Sequence, residues 1–358
     1  MTNTSKIKNP ALIVMNRELK SFFTGIMAYI VIAVFLFITG FFFFSVFFFN
    51  NVAELRGLFS LLPTILSFLI PALTMRLFAE ETRSGSLETL MTLPVTEFQV
   101  VLGKFLASLI STLIMIAPTL LYIIAIQIFG TPDYGPVIGG FLGIIFLCAA
   151  FTAIGCFASA VTKNQIIAWI TGALICFALT MLDSISFLLP TVFVNAFNYL
   201  GIGTHFDSIA KGILDTRDVI YFISLTAVFF VGTIYIQKKD LKWKKGLKSE
   251  FVLFCLLIVL SNCVSSKAFK KIDLTAEKTY SLSPASKSVV RNLREPLTVR
   301  VFMDKDQTSQ FAQVSQYVKD ILQEYKSCGN DNFHVYFMDM KESMIKIQIK
   351  YIKLIKAL

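Results

Sequence analysis

The sequence predicts an all-α polytopic membrane protein of six spanning helices and a shorter seventh, followed by an incomplete extracytoplasmic α/β segment. Three observations predict it. Hydrophobic residues make up 55% of the 358-residue chain, 36 of them phenylalanine, against 16% charged, the composition of a chain whose solvent is largely lipid. Apolar runs of about 20 residues, the length that crosses hydrocarbon, recur six times between Gly25 and Ile236. After Ser265 the chain turns polar, and its apolar residues recur at alternating helix and strand periods.

Asn9 and Pro10 suit the cap and first residue of a helix. Leu12, Met15, Leu19 and Phe22 follow at helical spacing, with Asn16, Arg17 and Lys20 on the other side. Residues 1–24 read either as a cytoplasmic amphipathic helix lying on the membrane or as the flank of the first span. The six spans are 25–49, 58–78, 101–129, 137–161, 166–189 and 219–236, and the short seventh is 251–264. Pro63, Pro71 and Pro118 fall inside spans, where neighbouring helices can make up for lost backbone bonds.

Basic residues alternate between connections. Lys6, Lys8, Arg17 and Lys20 precede the first span, and Arg76 and Arg83 follow the second, with Lys104 just beyond their loop. Lys163 follows the fourth span, and Lys238, Lys239, Lys242, Lys244, Lys245 and Lys248 fill the linker before the seventh. The other connections hold only Arg56, Lys211 and Arg217. The positive-inside rule then puts the N-terminus in the cytoplasm and everything after residue 264 outside. The basic linker reads as a topology anchor ahead of a lipid or partner site.

Within 190–218, Phe193, Phe197 and Leu200, then Phe206, Ile209 and Ile213, suggest two short outer helices. Beyond the seventh span, Ser283-Pro284 opens a helix running to Asn292, 297–303 and 333–338 read as strands, and Val314, Val318 and Ile321 give 310–325 helical spacing. About 90 residues follow the last span, short of a usual domain of roughly 100–150. The Lys/Ile-rich run 344–358 fits neither pattern, and a truncated or frame-altered gene end is expected there.

The most informative stretch joins the second and third spans, from Arg76 to Lys104. Glu80, Glu81 and Arg83 are too charged for hydrocarbon. Gly85 breaks the incoming helix, and Ser86 can cap the next, with Glu88 in its positive first turn. Leu87, Leu90 and Met91 share one face. Pro94 ends this short helix, and Thr96-Glu97-Phe98-Gln99 is a capping-box pattern that starts the following one. Such a surface helix between two spans can take a push from a soluble partner and pass it to the membrane.

The run from Glu80 to Val95 resembles the E-x-x-x-G-[TS]-L-E-x-L-[LM]-x-x-P signature of the ABC type-2 permease family. The resemblance implies that Glu80, Glu81, Gly85, Leu87, Glu88 and Pro94 form the element that docks on a separate ABC ATPase. It also implies that ATP is used there, with no cofactor bound directly by this chain, and that two permease copies or paralogues pair. Residues 16–237 are similar to the gliding-motility-associated permease family (GldF). Run 205–218 resembles the approach to the last helix in type-2 permeases, whose outer helices cap the translocation path. Ile272 to Ser283 resembles the D-L-T-x-x-K-x-Y-S-L-S opening of GldG-type auxiliary proteins, implying the remainder of such a protein as a partner. On this reading 1–24 is the amphipathic segment, 25–237 the permease domain, 238–250 the basic linker, 251–264 the seventh span and 265–358 the auxiliary segment. A bacterial inner membrane follows from the same resemblance.

A search for catalytic chemistry excludes several classes. No G-x-x-x-x-G-K-[ST] is present, so no P-loop is expected. His205 and His334 are the only histidines, and H-E-x-x-H is absent, against a zinc protease or a histidine triad. The net charge of +10 is carried largely beside apolar runs, pointing to membrane lipids and topology rather than nucleic acid. Cys148, Cys156, Cys176 and Cys255 lie inside apolar runs with no CxxC pair, against a disulfide framework. The N-terminus lacks a cleavable signal peptide pattern, and Leu260-Ser261-Asn262-Cys263 is a poor lipobox. Asp183 is the intramembrane acid and so a functional candidate, though its place near a helix end beside Ser184 and Ser186 favours an interfacial or helix-bonded role. His205 reads as a polar loop residue. Two functions remain: a permease powered by a separate ATPase, or a scaffold of a motility or envelope complex that moves no substrate. The coupling stretch favours the permease.

Overall fold

The structure, a computed structural model, describes residues 9–50, 54–92, 94–130, 132–185, 197, 199–239, 246–267, 271–276, 278, 280–303, 318–319, 321–322, 324–330 and 332–339. The chain falls into two compact units: Met1–Met181 with Gly201–Thr275, and Leu182–Leu200 with Ala276–Leu358.

The first unit is helical. Helix α1 (Pro10–Thr24) starts as the sequence predicts: the Asn9 side-chain carbonyl accepts from the Ala11 amide at 3.2 Å, and Pro10 is the first residue. It stops at Gly25, in extended conformation, before α2 (Ile26–Asn50), so it is a helix of its own, and it packs along α6 (Glu97–Ile116). The face it buries is turned from the predicted one: Phe22 is inside as predicted and Met15 and Leu19 are half-buried, but Leu12 is 44% exposed and Ala11 and Val14 are inside instead. Close approach decides this face: a Cβ on Gly103 of α6 would lie 2.6 Å from the Ala11 carbonyl oxygen and 2.8 Å from the Val14 Cβ. Small residues let the backbones meet, and that selects the face over side-chain bulk.

Helices α3 (Arg56–Thr74) and α4 (Arg76–Ser84) are separated only at Met75, and α5 (Ser86–Met91) follows. After α6, Pro118 sits in a tight turn (Ala117–Leu120) that leads into α7 (Leu121–Phe129). Helices α8 (Tyr134–Val161) and α9 (Gln165–Ile185) precede a short α10 (Ile202–Ala210) and strand β1 (Ile213–Asp215). Then come α11 (Thr216–Lys239), α12 (Gly246–Lys267) and strand β2 (Lys271–Asp273). Among the described residues six helical stretches are long and apolar enough to cross a membrane: Ile26–Ser45, Arg56–Ser84, Glu97–Phe129, Tyr134–Val161, Gln165–Ile185 and Thr216–Lys238. These match the six predicted spans. The predicted seventh is the shorter apolar part of α12, Glu250–Asn262.

Helix α8 is the centre of this unit, packed against α3, α4, α6, α10 and α11. Its small residues admit neighbours closely: the Phe59 ring lies on Gly140, and the Thr74 hydroxyl on Gly155. At 1.5 Å per residue the helix is roughly 42 Å long. At its N-terminal end Gly139 backs onto the Ile209 carbonyl, and Gly135 onto Leu274 and Thr275. At its C-terminal end it meets α4.

Ile213 does not continue the helix of Phe206 and Ile209. Helix α10 ends at Ala210, Gly212 takes a left-handed φ of +87°, and Ile213 enters β1. Strand β1 pairs antiparallel with β2, Ile213 opposite Asp273 and Asp215 opposite Lys271. Of the first predicted outer helix, Phe193 lies outside the described residues, as do Glu88's side chain, residues 240–245 of the basic linker and the run 344–358.

In the second unit, α13 (Pro284–Arg291) is capped by Ser283, whose hydroxyl accepts from the Ser286 amide at 3.1 Å, and it ends at Asn292, as predicted. Strands β3 (Leu297–Met303) and β4 (Phe333–Asp339) pair parallel, from Leu297 opposite Phe333 to Met303 opposite Asp339. A parallel pair needs a crossover connection. The predicted 310–325 helix falls within it, and the described residues 318–319, 321–322 and 324–328 there are helical.

Candidate functional site

The polar stretch between the second and third spans folds as α4, a glycine turn, α5 and the start of α6. Gly85 ends α4 with φ of +74°, the left-handed setting that other residues enter only with strain. Ser86 is the first residue of α5 rather than a cap ahead of it, with its hydroxyl 2.9 Å from that of Ser84. Helix α5 ends at Met91, three residues before Pro94. The capping box forms in full: Thr96 Oγ1 accepts from the Gln99 amide at 3.3 Å, and Gln99 Oε1 accepts from the Thr96 amide at 3.1 Å. Leu87 and Leu90 are buried, while Glu80, Arg83, Ser84, Gly85, Ser86, Thr89 and Pro94 are exposed. The element is therefore amphipathic, with its apolar side seated on the protein and a polar side facing outward.

Glu81 belongs to the inner side. Its side chain is 18% exposed and lies 2.9 Å, through Oε2, from Nζ of Lys104, whose own side chain is 0% exposed. The same ammonium donates to Glu18 Oε1 at 3.2 Å and to the Leu77 carbonyl at 2.6 Å, and it lies 5.2 Å from the centre of the Phe78 ring. Arg17 closes the group from the solvent side. Its Nη2 is 2.7 Å from Glu81 Oε1 and 2.5 Å from Glu18 Oε1. Two cations and two carboxylates thus join α1, α4 and α6 in one neutral cluster. A buried ammonium is tolerable only where acceptors surround it, and here two carboxylates, a carbonyl and a ring face do so. Burial by itself would raise the Glu18 pKa, but the Lys104 charge and the Arg17 bond outweigh it and hold Glu18 below the usual carboxylate range. A further tie comes from Arg76 at the start of α4. It donates to the Ser21 carbonyl at 3.1 Å and lies over the Phe22 ring at 4.8 Å, both on α1.

The sequence places Lys104 only as a flank of its loop and Arg17 only on the polar, basic side of the first helix, and it gives Glu18 no role. A signal for Lys104 was present: Val100, Val101, Lys104, Phe105 and Ser108 share a helical face, and all five are buried. Of the other candidates, Asp183 is half-buried near the C-terminal end of α9 and belongs to the second unit. His205 is no loop residue. It is buried in α10 with Nδ1 2.7 Å from Asp218 Oδ1 and its ring stacked 4.0 Å from that of Tyr221. Beside it Arg217 donates to Asp215 Oδ2 from Nε at 2.9 Å and Nη2 at 2.6 Å. Among the described residues no group of three or more His, Cys, Asp or Glu could hold a metal ion.

Two family models match the chain. One, described as an ABC-2 family transporter protein, covers residues 55–236, from just before α3 to near the end of α11. The other, a domain of unknown function (DUF7088), covers residues 276–354, including most of the Lys/Ile-rich run 344–358. No curated protein matches.

Proposed function

The chain belongs to the ABC-2 family transporter proteins, and we propose that it is the permease subunit of an ATP-driven exporter, coupled to a separate ABC ATPase through residues 76–104. Permeases of this family are membrane subunits that work with an ABC ATPase and dimerise. The observation that carries the coupling reading is the α4–α5 element, polar and exposed on one side and seated on the spans by the other. Glu80, Gly85, Leu87, Glu88 and Pro94 shape the docking element. Glu81 contributes from inside, tying α4 to Lys104 and so to α1 and α6. ATP binding closes the ATPase pair, which pushes on α4–α5 and shifts a two-state arrangement of the spans between paired permeases.

The structure groups α1, α4, the start of α6 and the end of α8 together, and β1 and β2 with the start of α8. That grouping supports the alternation read from the basic residues, and the linker lysines favour a cytoplasmic N-terminus with residues after 264 outside. A bacterial inner membrane, a role in gliding motility and a GldG-like partner remain part of the proposal, resting on the sequence resemblance. The alternative, a scaffold that moves nothing, has no use for an outward-facing polar helix between spans.

Because Glu81 is held within the chain, the docking test uses the exposed charges. Glu80→Lys combined with Arg83→Glu is expected to cut co-purification with the ATPase and the ATP turnover of the complex about tenfold at matched membrane levels, since charge reversal at a partly desolvated interface is costly. Wild-type association and turnover in that variant would overturn the docking surface. Recovery of the wild-type chain with envelope proteins but no ATPase would overturn the permease reading in favour of a scaffold.

A further inference from the structure

Helix α4 lacks an N-cap of its own. Met75, at the cap position, has helical backbone angles and no capping side chain. The cap comes from another span. Ser159 of α8, 0% exposed, accepts from the Phe78 amide at 3.0 Å and the Ala79 amide at 3.1 Å, and donates to the Met75 carbonyl at 2.8 Å. One hydroxyl thus uses its donor and both acceptor sites on three main-chain groups of the joint between α3 and α4. A polar side chain inserted into a helix ladder is one of the few recognised causes of a sharp break. Gly155, one turn earlier on α8, receives the Thr74 hydroxyl just before the joint, so α8 presents a small-residue face shaped to this break. Lys104 grips the same turn from α6 through the Leu77 carbonyl.

We propose that Ser159 is a positioning residue for coupling: it clips α4 to α8, so that a push on α4–α5 is delivered into the central span. Without the clip, α4 would swing about Met75 and absorb the push. The inference rests on the coupling role proposed for α4–α5 and adds the route by which motion enters the membrane.

Hydrogen exchange on the full chain in lipid nanodiscs tests the clip without any partner. Ser159→Ala leaves two buried amides without an acceptor, and exchange at residues 78–79 is expected to rise about tenfold, equivalent to about 1.4 kcal/mol, with α1 and α5 unchanged. Ser159→Cys, a weaker acceptor of similar size, is expected to fall between the two, and it serves as the test if the alanine variant fails to insert. Exchange at 78–79 equal to wild type in both variants would overturn the clip. The second arm adds the co-purified ATPase and a non-hydrolysable ATP analogue. In the wild type the analogue is expected to change exchange in the last two turns of α8. In Ser159→Ala the ATPase stays bound and that response is lost. An undiminished α8 response would overturn delivery through Ser159. Failure of any ATPase to bind the wild type would defeat the coupling reading itself, and with it delivery, while the first arm still decides whether Ser159 holds α4.

Discussion

Helix α8 meets its neighbours by different chemistry at its two ends. Around its C-terminal end, beside the backbone seam of Gly103 on Ala11, the ties are side chains reaching across the sequence. Ser159 binds the α4 main chain, Glu81 of that same helix pairs with Arg17, 64 residues away, and Lys104 bonds Glu18, 86 residues away. At the N-terminal end backbone lies on backbone, with Gly139 against the Ile209 carbonyl and Gly135 against Leu274 and Thr275, beside the β1–β2 ladder. The charges there pair over short sequence distances, Arg217 with Asp215 two residues away and His205 with Asp218 thirteen away. A side-chain tie can lengthen or exchange partners with little motion of the main chain. Backbone contact yields only if a whole helix moves. The charged end is thus suited to receive displacement and the glycine end to resist it.

The sharpest way to break this comparison is to remove the buried cation. Lys104→Met puts an apolar side chain against Glu18 and Glu81 and leaves Arg17 alone to balance them, and breaking a buried ion pair from one side costs about 3–5 kcal/mol. A fall of that size in detergent unfolding, or loss of the chain from membranes, is expected. An unchanged midpoint would show that the cluster holds nothing together. At the other end, Gly139→Ala drives a Cβ into the Ile209 carbonyl. Overpacking of this kind costs about 1–3 kcal/mol, and the same unfolding assay should show it. A neutral result would mean that the glycine end gives as readily as the charged one.

The smallest effect needs a pH series. Glu18 has a folded pKa below its ordinary value, so its stabilising share is complete above the ordinary glutamate pKa of about 4.3. That share disappears as pH falls through the lower folded value. Wild type should exceed Glu18→Gln in stability at pH 7, and the gap should close as the medium is acidified toward pH 3. A gap independent of pH would remove the charge from the account of α1 docking.

Local signals carried the elements well. Asn9, the Thr96–Gln99 box and Ser283 each cap the helix that the sequence assigned to them, and the six spans follow from length and hydropathy alone. The site was legible in part. Gly85 turns the chain as expected, and Leu87 and Leu90 face inward. What local pattern could not show was which helix folds back on which. The burial of Lys104 depends on α1 lying along α6, and that depends on Gly103 meeting Ala11. Ser159 carries no local mark either, since a serine on an apolar helix usually bonds its own preceding turn. Strands β1 and β2 are three residues each and 56 residues apart at their closest, too short for a period-two signal.

Strand β2 follows α12 in the chain and β1 precedes α11, so the two helices and their linker form a loop whose mouth is stitched by three residue pairs. A cut at residue 236, where the transporter family match ends, would leave β1 without its neighbour and Gly135 without Thr275. Tension on the chain beyond Thr275 therefore enters first at this stitch and its seat on α8, much as a cleat takes the load of a rope, and leaves α12 slack behind it.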